Sequence, residues 1–132
     1  QTLGEQLEDL APVHVVRGNI DGGELRWYPE EEAFEVGPTT WCLRHISGKP
    51  SRPTRAARAL IGREQPDIFV CGHSHIPVVG RVGDGTLWLN PGAAGRVGFH
   101  HDRFALLLHI DEDTGELDME RVHLGPRSKQ YQ

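Results

Sequence analysis

Four times along this chain an apolar run of strand-like composition stops and a polar cluster follows at once. The stretches are VVRGNID (Val15–Asp21), CLRHISG (Cys42–Gly48), VCGHSHIP (Val70–Pro77) and LWLNPGAAGR (Leu87–Arg96). In layered α/β folds, loops at corresponding strand ends converge on one site. The pattern therefore constrains the chain to an α/β domain whose strand ends share a pocket.

Taken singly, the clusters say less. "GN" is a turn signal, because Asn tolerates left-handed backbone angles, and "NPG" is another. A lone His45 behind a strand is more often a satisfied surface histidine than a ligand. GHSH is harder to set aside: two imidazoles one residue apart on a tight turn can point into one space, and borderline divalent metals favour such donors. His14, His100, His101, His109 and His123 carry no comparable pattern.

Leu3, Leu7 and Leu10 mark one face of a helix that Pro12 ends. Val13 to Val16 reads as a strand, Glu30 to Glu35 as a charged segment turning into a hairpin, and EAFEVGPTTWCLRH (Glu32–His45) as that hairpin's two strands about Gly37-Pro38. Thr54 to Arg63 reads as a helix with Thr54 as N-cap and Ala57, Leu60 and Ile61 as its apolar stripe. Strands follow at Ile68–Cys71, Val78–Val82, Thr86–Asn90, Phe104–Ile110 and Leu117–Leu124. This order predicts one α/β domain over residues 1–124, with sheets mixed or antiparallel toward its end, and a loose tail over 125–132.

A net charge of −5 over 132 residues argues against a general nucleic-acid binder, which needs clustered Lys and Arg. No apolar run approaches the roughly 18 residues of a membrane-spanning helix. Cys42 and Cys71 sit inside apolar runs and read as two reduced, buried thiols. Cys71 alternates with His73 and His75, but its sulfur falls within the strand, which argues against a ligand. With a polar, acidic start unlike a signal peptide, these features predict a cytoplasmic protein. The opening QTLGEQLEDL begins partway along a helical pattern, and further sequence upstream is expected.

The order RGNID, His45, GHSH, NPG, spread from Pro12 to Leu124, resembles the calcineurin-like metallophosphoesterases, and among them the small YfcE-type phosphodiesterases. The resemblance implies a four-layer αββα sandwich with two divalent metal ions at the strand ends, hydrolysing a small phosphoester substrate. It implies that Asn19, His45 and His73 ligate one ion and serve catalysis, that His75 ligates the other, and that Asp21 lies beside the site. Manganese is the first candidate metal, and iron, zinc, nickel or cobalt also suit the donors. Arg17, Arg44 and Asn90 are the candidate substrate contacts, with Asn90 to Gly92 shaping the pocket floor.

The chain departs from that pattern. The family's D-x-H and G-D motifs, which precede GN, do not occur before Gly18. They supply the carboxylate that bridges the ions, and without it two neighbouring dications repel. The expectation is a family fold lacking its N-terminal strands, and a 132-residue chain that by itself assembles no dinuclear centre and hydrolyses no phosphoester. Ile20 stands where many relatives carry a proton-donating histidine, so a general-acid contribution of roughly 10²–10⁴-fold is lost or supplied elsewhere. Ile46-Ser47 replaces the usual glycine after His45.

The competing reading is a non-catalytic scaffold on the same fold, as in the retromer subunit of this architecture. Ile20 and the missing carboxylates favour it, whereas Asn19, His45, His73 and His75 kept in register favour the enzyme. A mononuclear zinc site on Asn19, His45 and His73 ranks last, because an amide oxygen is a poor zinc donor. A homo-oligomer is left open, with Trp27, Tyr28 and Phe99 as aromatic candidates for its contact.

Overall fold

The computed structural model describes residues 3–18, 28–83, 85–94 and 102–126. Its elements are α1 (Leu3–Glu8), β1 (Glu31–Val36), β2 (Thr39–Arg44), β3 (Gly48–Lys49), β4 (Arg52–Pro53), α2 (Arg55–Glu64), β5 (Ile68–Val70), β6 (Val78–Val82), β7 (Thr86–Asn90), β8 (Asp102–Ile110) and β9 (Leu117–Pro126).

A five-stranded sheet in the order β1-β2-β5-β7-β6 forms the centre. Its middle strands β2, β5 and β7 run parallel, and the edge strands β1 and β6 pair antiparallel with β2 and β7. Parallel strands covered on both faces read as continuous apolar runs, which is why IFV and TLWLN show no polar alternation. The two faces are nevertheless sorted with period two. Cys42, Phe69 and Trp88 turn toward α2, where they meet Ala57, Leu60 and Ile61. Trp41, Ile68, Val70, Leu87 and Leu89 turn the other way, onto Leu106, Leu108, Leu117 and Met119 of the β8–β9 hairpin.

Helix α2 forms as the sequence predicts. The Thr54 hydroxyl accepts from the Ala57 N–H at 3.2 Å, which satisfies one donor that the helix end leaves open. Ala57 and Leu60 are buried on its sheet-facing side.

One expectation changes. Val13 to Val16 forms no ladder among the described residues: the segment runs alongside β1, with the His14 ring stacked on Phe34 at 3.7 Å and the Arg17 N–H donating to Pro29 at 2.9 Å. Glu31 to Val36 forms the first strand of the expected hairpin, where a six-rung register with β2 outweighs the low strand propensity of glutamate. Among the described residues helix α2, the central sheet and the β8–β9 hairpin stack as layers, and Leu7 and Leu10 of the front segment stand 42% and 82% exposed. Between the central sheet and β8 lies an apolar gap of about 500 Å³, lined by Phe34, Trp41, Leu43, Val70, Leu89 and Leu106 among others. The strand β9 continues through Pro126, two residues beyond the strand expected over Leu117–Leu124.

Both cysteines are free and buried. Burial pushes the Cys71 thiol up to about 12 and the Cys42 thiol up to about 11. The folded state thus keeps thiol protons that the unfolded chain gives up near the ordinary value of 9, so stability falls as pH rises above 9. At pH 8 neither thiol should react with Ellman's reagent until urea unfolds the chain; rapid native-state labelling would contradict the burial. Phe69 stacks on Trp88 at 4.8 Å, both fully buried. Phe69→Ala should cost about 3–5 kcal/mol by urea denaturation, and a cost typical of a surface change would contradict this core.

Candidate functional site

Strands β2, β5 and β7 end side by side, and one peptide ties the three ends together. The Gly72 N–H donates to the His45 carbonyl at 3.0 Å, and the Gly72 carbonyl accepts from the Ser74 N–H at 2.9 Å. The same carbonyl also accepts from Asn90 Nδ2 at 3.2 Å. His45 follows β2, Gly72 and His73 follow β5, and Asn90 closes β7.

The glycine at position 72 gives this arrangement room. A Cβ there would lie 3.1 Å from His45 Nδ1 and 3.4 Å from its Cε1, tighter than ordinary contact. With that room the His45 ring meets the His73 ring edge to face, centroids 5.4 Å apart at 80°. Upstream, Ser47 is 1% exposed, and its hydroxyl donates to the Arg44 carbonyl at 3.0 Å. The Ser47 carbonyl accepts from the N-cap residue Thr54 at 2.9 Å. The turn carrying His45 is thereby anchored to helix α2, with Ser47-Gly48 in place of the glycine the sequence pattern led one to expect.

The GHSH turn is backbone-strained. His73 has φ of 72° and His75 has φ of 61°, a left-handed region that non-glycine residues enter at a cost of order 1–3 kcal/mol and mostly at functional sites. Asn90, 2% exposed, donates to Ser74 Oγ at 3.0 Å as well as to Gly72, and its Oδ1 accepts from the Gly92 N–H at 3.0 Å. The Asn90 amide is thus buried, and both of its ends serve neighbouring turns.

Beside His45 opens a cleft of about 300 Å³ lined by Arg17, Gly18, Glu30, Arg44, His45 and Ile46. Its arginines are tethered. Arg17 Nη2 reaches Glu30 at 2.9 Å, and Arg44 Nη1 reaches Glu31 at 2.8 Å, while Arg63 holds the other oxygen of Glu31 at 2.9 Å. Arg44 Nε is buried without a partner among the described residues. The tethering glutamates were not singled out from sequence, although counting back from the Gly37-Pro38 turn puts Glu31 opposite Arg44 in the hairpin register.

Two imidazoles make up half of a four-coordinate shell of the kind zinc accepts. Among the described residues no group of three His, Cys, Asp or Glu side chains is placed to hold a metal. Among the described residues, His75 therefore does not join the pair at a single point, and no carboxylate completes it. Cys71 stays in the core, 5% exposed. Asn19, Ile20, Asp21, Trp27, Arg96 and Phe99 lie outside the described residues.

Gly72→Ala should displace the His45 ring, giving altered imidazole resonances for both His45 and His73 in a chain that still folds. Unchanged ring shifts would contradict the close approach.

The motif order agrees with comparisons to known proteins. The model of the calcineurin-like phosphoesterase superfamily domain matches residues 1–113. A probable metallophosphoesterase of Methanothermobacter thermautotrophicus is 32% identical over 120 residues, covering 91% of this chain and 67% of the relative. A second, from Methanocaldococcus jannaschii, is 33% identical over 90 residues, 67% of this chain and 45% of its own length. Among solved structures, Vps29 of Entamoeba histolytica complexed with zinc superposes with a TM-score of 0.62 at 28% identity, covering 91% of this chain and 74% of that one. The chain belongs to the calcineurin-like phosphoesterase superfamily.

Proposed function

We propose that this chain carries the imidazole side of a divalent-metal phosphoesterase site, acting on small phosphodiesters or phosphomonoesters. The observation that supports this most is the His45–His73 pair, set edge to face at 5.4 Å across a glycine that leaves room for it. His45 and His73, with the amide oxygen of Asn19, would hold one ion, and His75 would serve a second. When bound, such a pair of ions supplies a nucleophile at neutral pH and clamps phosphoryl oxygens during in-line displacement. Arg17 and Arg44, tethered beside His45, would orient the outer phosphoryl oxygens, with the buried Arg44 Nε–H as a donor in reserve. Ile20 can give no proton to the leaving group, so substrates with good leaving groups, such as aryl phosphates, are favoured.

The second reading, a protein-binding scaffold, draws support from the likeness to Vps29 and from exposed apolar side chains near the GHSH turn: Ile76 at 62% and Val79 at 56%. In that reading the histidines would be retained for the turn they build.

Hydrolysis of bis-p-nitrophenyl phosphate with added manganese, by the protein made from its full reading frame, separates the two. His45→Ala and His73→Ala should each lower the rate by more than the roughly 10–100-fold typical of losing an outer partner. His109→Ala, exposed on β8, should leave it unchanged. Background activity that His73→Ala does not alter would remove the enzyme reading in favour of the scaffold.

A further inference from the structure

We propose that Asn90 is a positioning residue, a buried clip that holds the His73-Ser74-His75 turn in its left-handed conformation and so sets the aim of His73 toward His45. The inference rests on the metal-site reading for its use, but its structural content stands on geometry alone.

Two successive left-handed excursions, at His73 and His75, interrupt a four-residue turn. Neither residue is a glycine, so the local backbone alone would relax out of this state. Something outside the turn has to over-determine it. The Ser74 N–H to Gly72 carbonyl bond, at 2.9 Å, closes the first excursion but is local and does not fix where the turn sits. Asn90 does. Its Nδ2 carries two hydrogens, and the two donations go to the turn's first carbonyl at 3.2 Å and its central hydroxyl at 3.0 Å. The other end of the amide is held by the Gly92 N–H at 3.0 Å, so the group is oriented before it meets the turn.

The clip is placed where it cannot be replaced by water. Asn90 is 2% exposed, at the end of a strand whose central position in the sheet leaves its backbone little freedom. A buried amide with all its partners in place is worth more than its exposed counterpart, because each lost partner leaves a desolvated group unpaired. Ser74 also accepts weakly from the Ile76 N–H at 3.4 Å, so the same hydroxyl spans both excursions. Only a hydroxyl can accept from Asn90 at this point; threonine preserves it and alanine removes it.

The test reads backbone conformation and metal uptake separately. At positive φ the amide and α protons of a residue are close together, giving a strong intraresidue NOE. In the unaltered chain His73 and His75 should both show it. Asn90→Ala should weaken both NOEs and lower Zn²⁺ affinity, titrated with the metal alone, by roughly 10–100-fold, the usual cost of losing an outer partner. Ser74→Ala should act in the same direction, and Ser74→Thr should restore both readouts. Leu60→Ala, a core truncation in α2, should lower stability at least as much while leaving the NOEs intact, which separates the clip from general loosening. Strong NOEs persisting in Asn90→Ala, equal behaviour of Ser74→Ala and Ser74→Thr, or loss of the NOEs in Leu60→Ala would each overturn the proposal. If the unaltered chain takes up no Zn²⁺, the metal-site reading fails, and the NOEs still decide whether the clip exists.

Discussion

The absence of a side chain at residue 72 is the constraint on which the site depends. With only a hydrogen at Cα, Gly72 allows the His45 ring to approach a backbone that a Cβ would hold off at 3.1 Å. Its peptide then makes bonds in both directions, its N–H to the end of β2 and its carbonyl to the side chain closing β7. Three parallel strands thus share one junction, and the imidazoles following two of them are brought within ring contact. Parallel pairing matters here. It sets the C-terminal ends of β2, β5 and β7 at the same edge of the sheet, the edge where layered α/β proteins gather their chemistry.

The core explains why that junction can be rigid. Trp88, Phe69 and Cys42 pack under α2, and Leu87, Leu89 and Ile68 pack under the hairpin, so each central strand is clamped on both faces. Left-handed backbone at two histidines is tolerated only above such a base, since the surrounding packing and hydrogen bonds must hold what local preference disfavours. The turn that carries His45 is secured in a different way, through Ser47 and the cap of α2. Strain is concentrated on the GHSH side of the pair and support on both.

Much of this was legible in the residues. The helix over Thr54 to Arg63, the strands after it and the hairpin about Gly37-Pro38 follow from apolar periodicity and turn chemistry, and the structure places them within one or two residues. The pairing of His45 with His73 followed from motif order, not from periodicity. What the sequence could not disclose were quantities that depend on neighbours. Glu30 and Glu31 read only as a charged approach to the hairpin, and the register with β2 is what puts Glu31 in the first strand. Val13 to Val16 looks like a strand, yet strand identity requires a partner, and its described contacts are the His14 ring stack on Phe34 and the His14–Glu32 hydrogen bond. Asn90 looks like a polar group at a pocket, and only its burial reveals that it faces inward to the turn.

Superfamily membership fixes the frame, and the chemistry depends on whether two imidazoles act as a donor pair or merely as ring neighbours. Diffraction from zinc-soaked crystals, recorded across the zinc absorption edge, asks this directly. The account predicts one anomalous peak about 2.0–2.1 Å from a ring nitrogen of both His45 and His73. Separate peaks on the individual rings, or none near either, would contradict it.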